Sequence, residues 1–291
     1  MSFNVIGLGE ILWDLLPAGK QLGGAPANFA LHARALGARS RVISRVGLDA
    51  PGAEILQRLQ ALGLPIAEIQ VDPSAPTGTV SVELSADGQP RFTIHEDVAW
   101  DRLALEETAL AAVAEADAVS FGTLAQRREP ARGTIRALLG AVRPGALRIL
   151  DLNLRQHYFS RDIIETSLRL ANVVKFNDSE LPVLAELLGL RGNARQQIEQ
   201  LARQHAQRLV CLTRGAHGSV LYSGGQWADD PSQPAAVKDT VGAGDAFTAA
   251  LAMGMLAGKP LDAINRRANQ VARYVCSREG ATPALPEFPD P

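Results

Sequence analysis

The chain has 291 residues, of which 46% are apolar, and this is enough to build a large buried core. Lysine and arginine total 29 and aspartate and glutamate 31, which gives a net charge of −2. This charge argues against a nucleic-acid-binding protein, which would normally carry a basic face. It does not argue against a phosphate ligand, because backbone amides can hold a phosphate without any net positive charge. The N-terminus lacks the features of a signal peptide and no apolar stretch is long enough to span a bilayer, so we expect a cytoplasmic protein without a membrane partner.

Short apolar runs alternate with helical patterns along most of the chain. The candidate strands are residues 5–6, 42–43, 119–121, 148–150, 173–176 and 209–212. The candidate helices between them include residues 28–36, 54–62, 103–115 and 194–205. Continuous apolar strands separated by helices indicate a mostly parallel sheet that is covered on both faces. We therefore predict the α/β class, with a three-layer α/β/α arrangement in one domain over residues 1–291.

A first polar cluster lies in the N-terminal third of the chain. Asp14 interrupts an apolar segment, where a carboxylate is costly unless it has partners. Residues 23–28 (GGAPAN) then lead into a helix and offer backbone amides together with the side chain of Asn28. This combination suits a polyhydroxylated ligand, because each hydroxyl both donates and accepts hydrogen bonds. The alternative is a glycine-rich helix entry with Asp14 in a surface loop.

A β-hairpin pattern interrupts the α/β alternation. Residues 79–84 alternate between polar and apolar, Asp87-Gly88 supplies a turn, and residues 91–95 alternate again. A hairpin with one exposed face needs something to cover, such as an active site or a partner subunit. We interpret it as part of a lid, and because exposed hairpins often pair, we also expect a homodimer. The alternative is a surface hairpin without a function.

Three candidate strands of the parallel sheet end in a polar residue. These residues are Asp151, Asn177 and Thr213. In open parallel sheets, ligands bind beyond the carboxyl ends of the strands. Each residue alone would be unremarkable, but the three together predict a polar ligand across that edge of the sheet.

The most specific feature is the segment 239–245 (DTVGAGD), which opens an apolar helical run over residues 246–256. Its small residues let the backbone approach a ligand closely. The first backbone amides of a helix have no hydrogen-bond partner within the helix, so they form a site for an anion. In phosphoryl transfer, such a site would face the charge on the transferring oxygens. Asp245 at the same helix start could accept the proton of an attacking hydroxyl. The alternative is an ordinary capped helix with a glycine turn.

These segments together resemble the ribokinase-like (PfkB) family of carbohydrate kinases, and most closely its fructokinase-type members. Residues 23–28 resemble the N-terminal signature of the family, and residues 239–245 its C-terminal D-T-x-G-A-G-D signature. Residues 177–180 (NDSE) are similar to its N-x-x-E motif and residues 213–218 (TRGAHG) to its T-x-G-x-x-G nucleotide turn. The resemblance covers nearly the whole chain. It implies the ribokinase-like fold, with a small β lid built from about residues 12–22 and 77–97.

The resemblance also implies a role for each matching residue. Asp245 is the expected catalytic base, and Gly242, Ala243 and Gly244 form the expected anion hole. The residues expected at the sugar are Asp14, Gly23, Gly24, Asn28 and Arg155, the last in a D-x-N-x-R segment (residues 151–155). Those expected at the nucleotide are Asn177, Thr213, Gly215, Gly218 and Asn269. The implied cofactors are ATP and Mg²⁺, with Glu180 in the water shell of Mg²⁺ and Asp239 as a candidate ligand of a monovalent cation such as K⁺.

The expected reaction is transfer of the γ-phosphoryl group of ATP to a hydroxyl of a small sugar, with fructose as the first choice. A kinase for 2-keto-3-deoxygluconate is the alternative in the same class, since Arg155 could hold its carboxylate, and a ribose or nucleoside kinase ranks third. A non-catalytic sugar-sensing protein is the alternative in a different class. It would be expected to have lost the base or the anion hole, but Asp245 and both glycines of the segment are present.

Overall fold

The structure is a computed structural model that describes residues 2–16, 19–84, 90–231, 233 and 236–288. The strands, in chain order, are β1 (Asn4–Leu8), β2 (Leu12–Leu16), β3 (Gly19–Gly23), β4 (Arg39–Gly47), β5 (Ile69–Asp72), β6 (Gly78–Leu84), β7 (Pro90–Ile94), β8 (Ala118–Phe121), β9 (Leu147–Asp151), β10 (Val173–Asn177), β11 (Leu209–Thr213), β12 (Ser219–Ser223) and β13 (Gln226–Asp230). The α-helices are α1 (Ala25–Ala35), α2 (Ala50–Ala61), α3 (Glu107–Ala114), α4 (Ala131–Ala141), α5 (Arg161–Leu170), α6 (Leu181–Leu188), α7 (Ala194–Gln204), α8 (Ala243–Leu256) and α9 (Leu261–Cys276).

A nine-stranded sheet forms the centre of the described chain, in the order β13-β12-β11-β10-β9-β8-β1-β4-β5. Neighbouring strands from β11 to β5 run parallel, whereas β12 and β13 are antiparallel additions at one edge. The six predicted strands all lie in the parallel part, so the predicted mostly parallel sheet is confirmed. The sequence analysis missed β5, β12 and β13, because these are short strands at the sheet edges whose polar residues weaken the apolar signal.

Helices cover both faces of the central sheet. On β10 and β11, Val173 and Cys211 pack with α8 and α9 on one face, while Val174 and Leu212 pack with residues of α3 to α7 on the other. Successive side chains of a strand point to opposite faces, so strands that are apolar throughout supply both cores at once. The predicted three-layer α/β/α class is therefore confirmed.

The helix boundaries differ from the predicted ones at three places, one of which is α2, which begins at Ala50 rather than at residue 54. Helix α1 begins at Ala25 rather than Asn28, because Pro26 is suited to the first turn of a helix, where its missing N–H costs nothing. The predicted helix over residues 103–115 is shorter, and α3 begins only at Glu107, after a 3₁₀ turn at Ala99–Arg102. Among the helices that the structure describes, none is both long and apolar enough to cross a membrane.

A smaller sheet of four strands, in the order β3-β2-β6-β7, lies beside the central sheet. Strands β6 and β7 pair antiparallel as the predicted hairpin, but the turn predicted at Asp87-Gly88 lies outside the described residues. Strand β2 pairs with β3 and in parallel with β6. On one face, Val80 and Ile94 belong to the main hydrophobic core, and on the other Trp13 is buried in a smaller core, whereas Leu15 and Phe92 remain 40% and 52% exposed. The strand register places Leu15 on the face of Trp13 and Phe92 on the face of Ile94, so each face of the small sheet carries both buried and exposed apolar residues.

Candidate active site

The candidate site lies at the carboxyl ends of the parallel strands. Asp151, Asn177 and Thr213 are the last residues of β9, β10 and β11, and the strand register pairs Asn177 with Thr213. The structure therefore places the three predicted residues along one edge of the sheet. Because the strands of an open parallel sheet all deliver their carboxyl ends to this edge, polar groups far apart in sequence meet there.

Helix α8 points its N-terminus at this edge. Gly242 precedes the helix with φ of 77°, and a Cβ there would lie 2.1 Å from the carbonyl oxygen of Ala281, so only glycine fits. Ala243 and Gly244 follow in the first turn, where the backbone amides have no partner within the helix. These amides and the positive end of the helix dipole form a site suited to an anion.

Asp245 sits in the first turn of α8 and contacts α1. The Nδ2 atom of Asn28 donates a hydrogen bond of 2.8 Å to Oδ2 of Asp245. Burial raises the pKa of Asp245 to about 7, and the negative charge of Asp151 adds to the shift, while the Asn28 hydrogen bond and the charges of Lys175 and Arg155 oppose it. A carboxyl group with a pKa near neutrality is suited to accept a proton from an alcohol and to release it again.

Asp14 and Gly23 lie diagonally across the antiparallel pair of β2 and β3, whose register sets Asp14 opposite Gln21 and Gly23 opposite Leu12. A Cβ on Gly23 would lie 2.2 Å from Oδ2 of Asp14, so the glycine makes room for the carboxylate. Gly24 follows directly and precedes α1. Burial raises the pKa of Asp14 to about 6, and the positive charge of Arg155 opposes that shift. Arg155 itself is exposed, and its Nη1 donates to the carbonyl oxygen of Leu154 at 3.2 Å.

Glu10 is a site residue that the sequence analysis missed. It follows β1 at the same sheet edge, is only 3% exposed, and its Oε2 has no hydrogen-bond partner among the described residues. Burial raises the pKa of Glu10 to about 7, with a further increase from the charge of Asp245 and an opposing effect of Arg155. An acidic residue directly after a buried strand was the available signal, and it resembles the pattern that singled out Asp151.

A buried network connects the sheet to the start of α8. The Nζ atom of Lys175 lies 2.7 Å from Oδ2 of Asp151, and the hydroxyl of Thr248 lies 2.9 Å from that same oxygen and from the carbonyl oxygen of Gly244. Asp151, Thr248 and Asp245 also line one small cavity. Lys175 was recognised from sequence only as part of an apolar strand, and Thr248 only as part of a helix.

Asn177 and Glu180 form a turn on the predicted nucleotide side. Oδ1 of Asn177 accepts hydrogen bonds from the backbone amides of Ser179 and Glu180, at 2.9 and 3.0 Å. The two carboxylate oxygens of Glu180 accept from the amides of Leu154 and Asn177, at 2.7 and 2.9 Å. Burial raises the pKa of Glu180, although these backbone hydrogen bonds oppose the shift.

This donor set bears on the implied Mg²⁺. Both oxygens of Glu180 already accept a hydrogen bond, so the carboxylate fits an ion held through water better than one bound directly. Within the described part of the chain, no group of three or more acidic, histidine or cysteine side chains could hold a metal ion. A Mg²⁺ ion bound mainly by nucleotide phosphates and water fits this arrangement, because Mg²⁺ keeps several of its waters in such sites.

The remaining nucleotide candidates lie around β11 and β12. Gly215 and Gly218 have φ values of 54° and 76° and bound the turn that follows Thr213. Asn269 on α9 is buried, and its Nδ2 donates to Oγ of Ser219 at 2.8 Å and to Oδ2 of Asp230 at 3.0 Å. Since Ser219 directly follows Gly218, Asn269 lies next to the turn.

Asp239 connects two segments near α8. Its Oδ1 accepts a hydrogen bond from the amide of Val241 at 3.0 Å, and its Oδ2 accepts from the amide of Gly280 at 3.1 Å. The carboxylate thus fixes the segment that leads into the anion site.

Comparison with known proteins adds a second line of evidence. The model that defines the pfkB family carbohydrate kinases matches residues 18–287. The chain is 32% identical over 303 aligned residues to a fructokinase of Escherichia coli, and the alignment covers 98% of this chain and 97% of the relative.

Two solved structures show the same fold. An uncharacterized sugar kinase of Pyrococcus horikoshii matches with a TM-score of 0.83 and 30% identity, covering 96% of this chain and 93% of that one. A fructokinase of Vibrio cholerae O395, solved in its fructose, ADP and calcium ion bound form, matches with a TM-score of 0.81 and 25% identity, covering 98% of this chain and 96% of that one. The chain therefore belongs to the pfkB family of carbohydrate kinases and is a sugar kinase of the ribokinase fold.

Proposed function

We propose that this sugar kinase transfers the γ-phosphoryl group of ATP to a hydroxyl of a neutral sugar, with fructose as the first candidate. The observation that carries the proposal is the position of Asp245. It combines a pKa of about 7 with a place in the first turn of α8, beside amides that have no partner within the helix. A base and an anion site are thereby held by one turn of helix, as in-line phosphoryl transfer requires.

In the proposed reaction, Asp245 accepts the proton of the sugar hydroxyl as its oxygen attacks the γ-phosphorus. The amides of Gly242, Ala243 and Gly244 hold the charge that develops on the transferred group. Mg²⁺, held by the nucleotide phosphates and by water that contacts Glu180, would neutralise phosphate charge. Asn28 keeps the Asp245 carboxylate oriented through its 2.8 Å hydrogen bond.

The remaining assignments are part of the same proposal. Asp14, Gly23, Gly24, Asn28 and Arg155 would surround the sugar, under a lid formed by the smaller sheet of the single kinase domain. Asn177, Thr213, Gly215, Gly218 and Asn269 would lie along the nucleotide. A sugar kinase of Pyrococcus horikoshii solved in complex with ATP, at 30% identity and a TM-score of 0.80, supports ATP as the donor.

The charges around the sugar position favour a neutral substrate. Glu10, Asp14 and Asp245 are three carboxyl groups whose pKa values are raised to about 7, 6 and 7, and Arg155 is a cation that acts on all of them. An additional carboxylate on the substrate would be repelled by this acidic surface. The identity to the Escherichia coli fructokinase supports fructose as the neutral sugar.

A 2-keto-3-deoxygluconate kinase is the second candidate. The observation that favours it is the exposed guanidinium of Arg155, which could pair with a substrate carboxylate. The two candidates differ in their dependence on this side chain, since Arg155→Ala should affect an acid substrate far more than a neutral one.

The reaction is tested by measuring ADP release from MgATP with fructose, ribose, 2-keto-3-deoxygluconate, glucose and adenosine. We expect the highest kcat/KM with fructose. Asp245→Asn should lower kcat by about 10²- to 10⁴-fold, because the general base is removed, and should leave the thermal unfolding temperature nearly unchanged. Near-normal turnover of this variant would overturn the role of Asp245, and preference for another sugar would overturn the fructose assignment only.

The sugar side of the site is tested with Gly23→Ala. The added methyl group would lie 2.2 Å from Oδ2 of Asp14, so the carboxylate must move. We expect KM for the sugar to rise about ten-fold or more, with KM for ATP little changed. Gly140→Ala in α4 is the matched control, because a Cβ at Gly140 meets nothing within 4 Å. An equal change in both KM values would contradict a local role at the sugar.

A monovalent cation beside Asp239 is a further part of the proposal. One carboxylate oxygen accepts from the amide of Val241, in the segment that forms the anion site, and the other from the amide of Gly280, so a cation bound there would steady the connection between these two segments. We expect turnover to be higher in KCl than in tetramethylammonium chloride at equal ionic strength, and Asp239→Ala to abolish the difference. Equal rates of the unmodified enzyme in the two salts would argue against the cation.

We also propose a homodimer formed through the lid. The small sheet exposes two large apolar residues on its opposite faces, Leu15 at 40% and Phe92 at 52%, and a second copy that clasps the sheet could cover both. Light scattering during gel filtration should give twice the 30.9 kDa mass of the chain, and the double substitution of Leu15 and Phe92 by Ser should return the mass of one chain. A monomeric unmodified protein would contradict the proposal.

A further inference from the structure

We propose that the buried ion pair between Lys175 and Asp151 is a positioning unit of the catalytic machinery, which fixes the first turn of α8 and in which Lys175 offsets the charge that Asp151 presents to Asp245. This inference rests on the proposed role of Asp245 as the base. Neither Lys175 nor Asp151 is expected to touch the sugar or the nucleotide, and both would act through the residues of α8 above them.

The pair has the geometry of a rigid support. Asp151 and Lys175 are partners in the register of the parallel strands β9 and β10, and their charged atoms are 2.7 Å apart. Both side chains are about nine-tenths buried, at 10% and 8% exposure. The Asp151 oxygen that binds Lys175 also lies 2.9 Å from the hydroxyl of Thr248, and this hydroxyl lies 2.9 Å from the carbonyl oxygen of Gly244. A continuous chain of polar contacts thus runs from the sheet into the anion site.

The ammonium group of Lys175 lies directly against the backbone of the anion site. A Cβ built on Gly244 would be 3.2 Å from Nζ of Lys175, which locates the charge at the Cα of that residue. Gly244 supplies one of the amides proposed to hold the transferred phosphoryl group. A fixed positive charge behind this peptide strengthens the site for an anion without occupying the space of the ligand.

Packing alone does not account for the pair. Lys175 interrupts a strand whose neighbours Val174 and Phe176 are fully buried, and a charged pair in such a place costs more desolvation free energy than an apolar pair of similar volume. Burial by itself would lower the pKa of Lys175, but the charge and the hydrogen bond of Asp151 outweigh burial and raise it, so the lysine stays cationic. A buried charge retained at the edge of an active site indicates a use for that charge.

The charges that face Asp245 show what this use is. Asp151 on β9 and Glu10 after β1 are negative and favour the protonated form of Asp245. Lys175 on β10 and Arg155 in the loop after β9 are positive and favour the ionised form, as does the hydrogen bond from Asn28 on α1. Without Lys175, Asp245 would lose the positive charge that lies closest to Asp151 and offsets its negative charge. Glu180 acts on the pair itself, since its charge interacts with both Asp151 and Lys175.

The experiment compares the pH dependence of kcat/KM for the full-length enzyme and its variants, on the best sugar of the panel. In the unmodified enzyme, activity should fall as pH drops through about 7, the pKa of Asp245. Lys175→Met should move this acid limb up by about one pH unit, because Asp151 is left unbalanced. Asp151→Asn should move the limb down, because a negative charge is removed. The double variant Lys175→Met/Asp151→Asn should return the limb close to its original position.

Two control variants separate charge from packing. Lys175→Arg keeps the positive charge and should keep the acid limb in place, even if kcat falls. The double variant Arg127→Met/Asp101→Asn removes another buried ion pair, whose side chains are 2% and 4% exposed, and should leave the acid limb unchanged. Thermal unfolding of every variant identifies any that does not fold. If Lys175→Met does not fold, the contrast between Asp151→Asn and Lys175→Arg still decides the outcome.

The results distinguish failure of this inference from failure of the proposed function. If Asp245→Asn retains turnover, the base has been assigned wrongly. If Asp245→Asn is inactive but Lys175→Met and Asp151→Asn share the acid limb of the unmodified enzyme, the pair is only structural and the inference is overturned. Opposite shifts in the two single variants, with recovery in the double variant, would establish it.

Discussion

The hydrogen bond from Asn28 to Asp245 is the contact on which the site depends, because it joins the starts of two helices that lie 217 residues apart in the chain. Helix α1 follows strand β3, and the first turn of α8 presents backbone amides suited to an anion. The two helices pack against each other on one face of the central sheet, where Phe29 and Ala33 of α1 share a core with α8 and α9. One short polar contact therefore holds the start of α1 against the start of α8.

The hydrogen bond between Asn28 and Asp245 can form in one geometry because other contacts fix the start of each helix independently. Gly242 can occupy its position because it has no Cβ that would meet the backbone of Ala281, and Asp239 fixes the preceding segment through two backbone amides. On the other side, Gly23 leaves room for the carboxylate of Asp14. The glycines of both segments thus allow close approach, Gly242 of the Ala281 backbone and Gly23 of the Asp14 carboxylate.

Several charged side chains of the candidate site lie at one edge of the central sheet. The strands β1, β9 and β10 contribute Glu10, Asp151 and Lys175, and α8 adds Asp245. Each acid is brought out of water by the helices that cover the sheet, which raises the pKa of Glu10 and Asp245 toward neutrality. Lys175 is the buried counter-charge within this group, and Arg155 is the exposed one. The pKa values of Glu10 and Asp245 therefore follow from burial together with the balance of charges in this group, and not from any one neighbour.

The sequence by itself determined the fold class and the family of this protein. Apolar runs predicted the parallel strands, and the segment 239–245 predicted the start of a helix, because both signals depend on residues that are neighbours in the chain. Only the tertiary structure decided that β12 and β13 extend the sheet, that Asn28 binds Asp245, and that Glu10 and Lys175 belong to the site. Local patterns could not show these features, because the state of a charged side chain depends on burial and on partners brought together from distant parts of the chain.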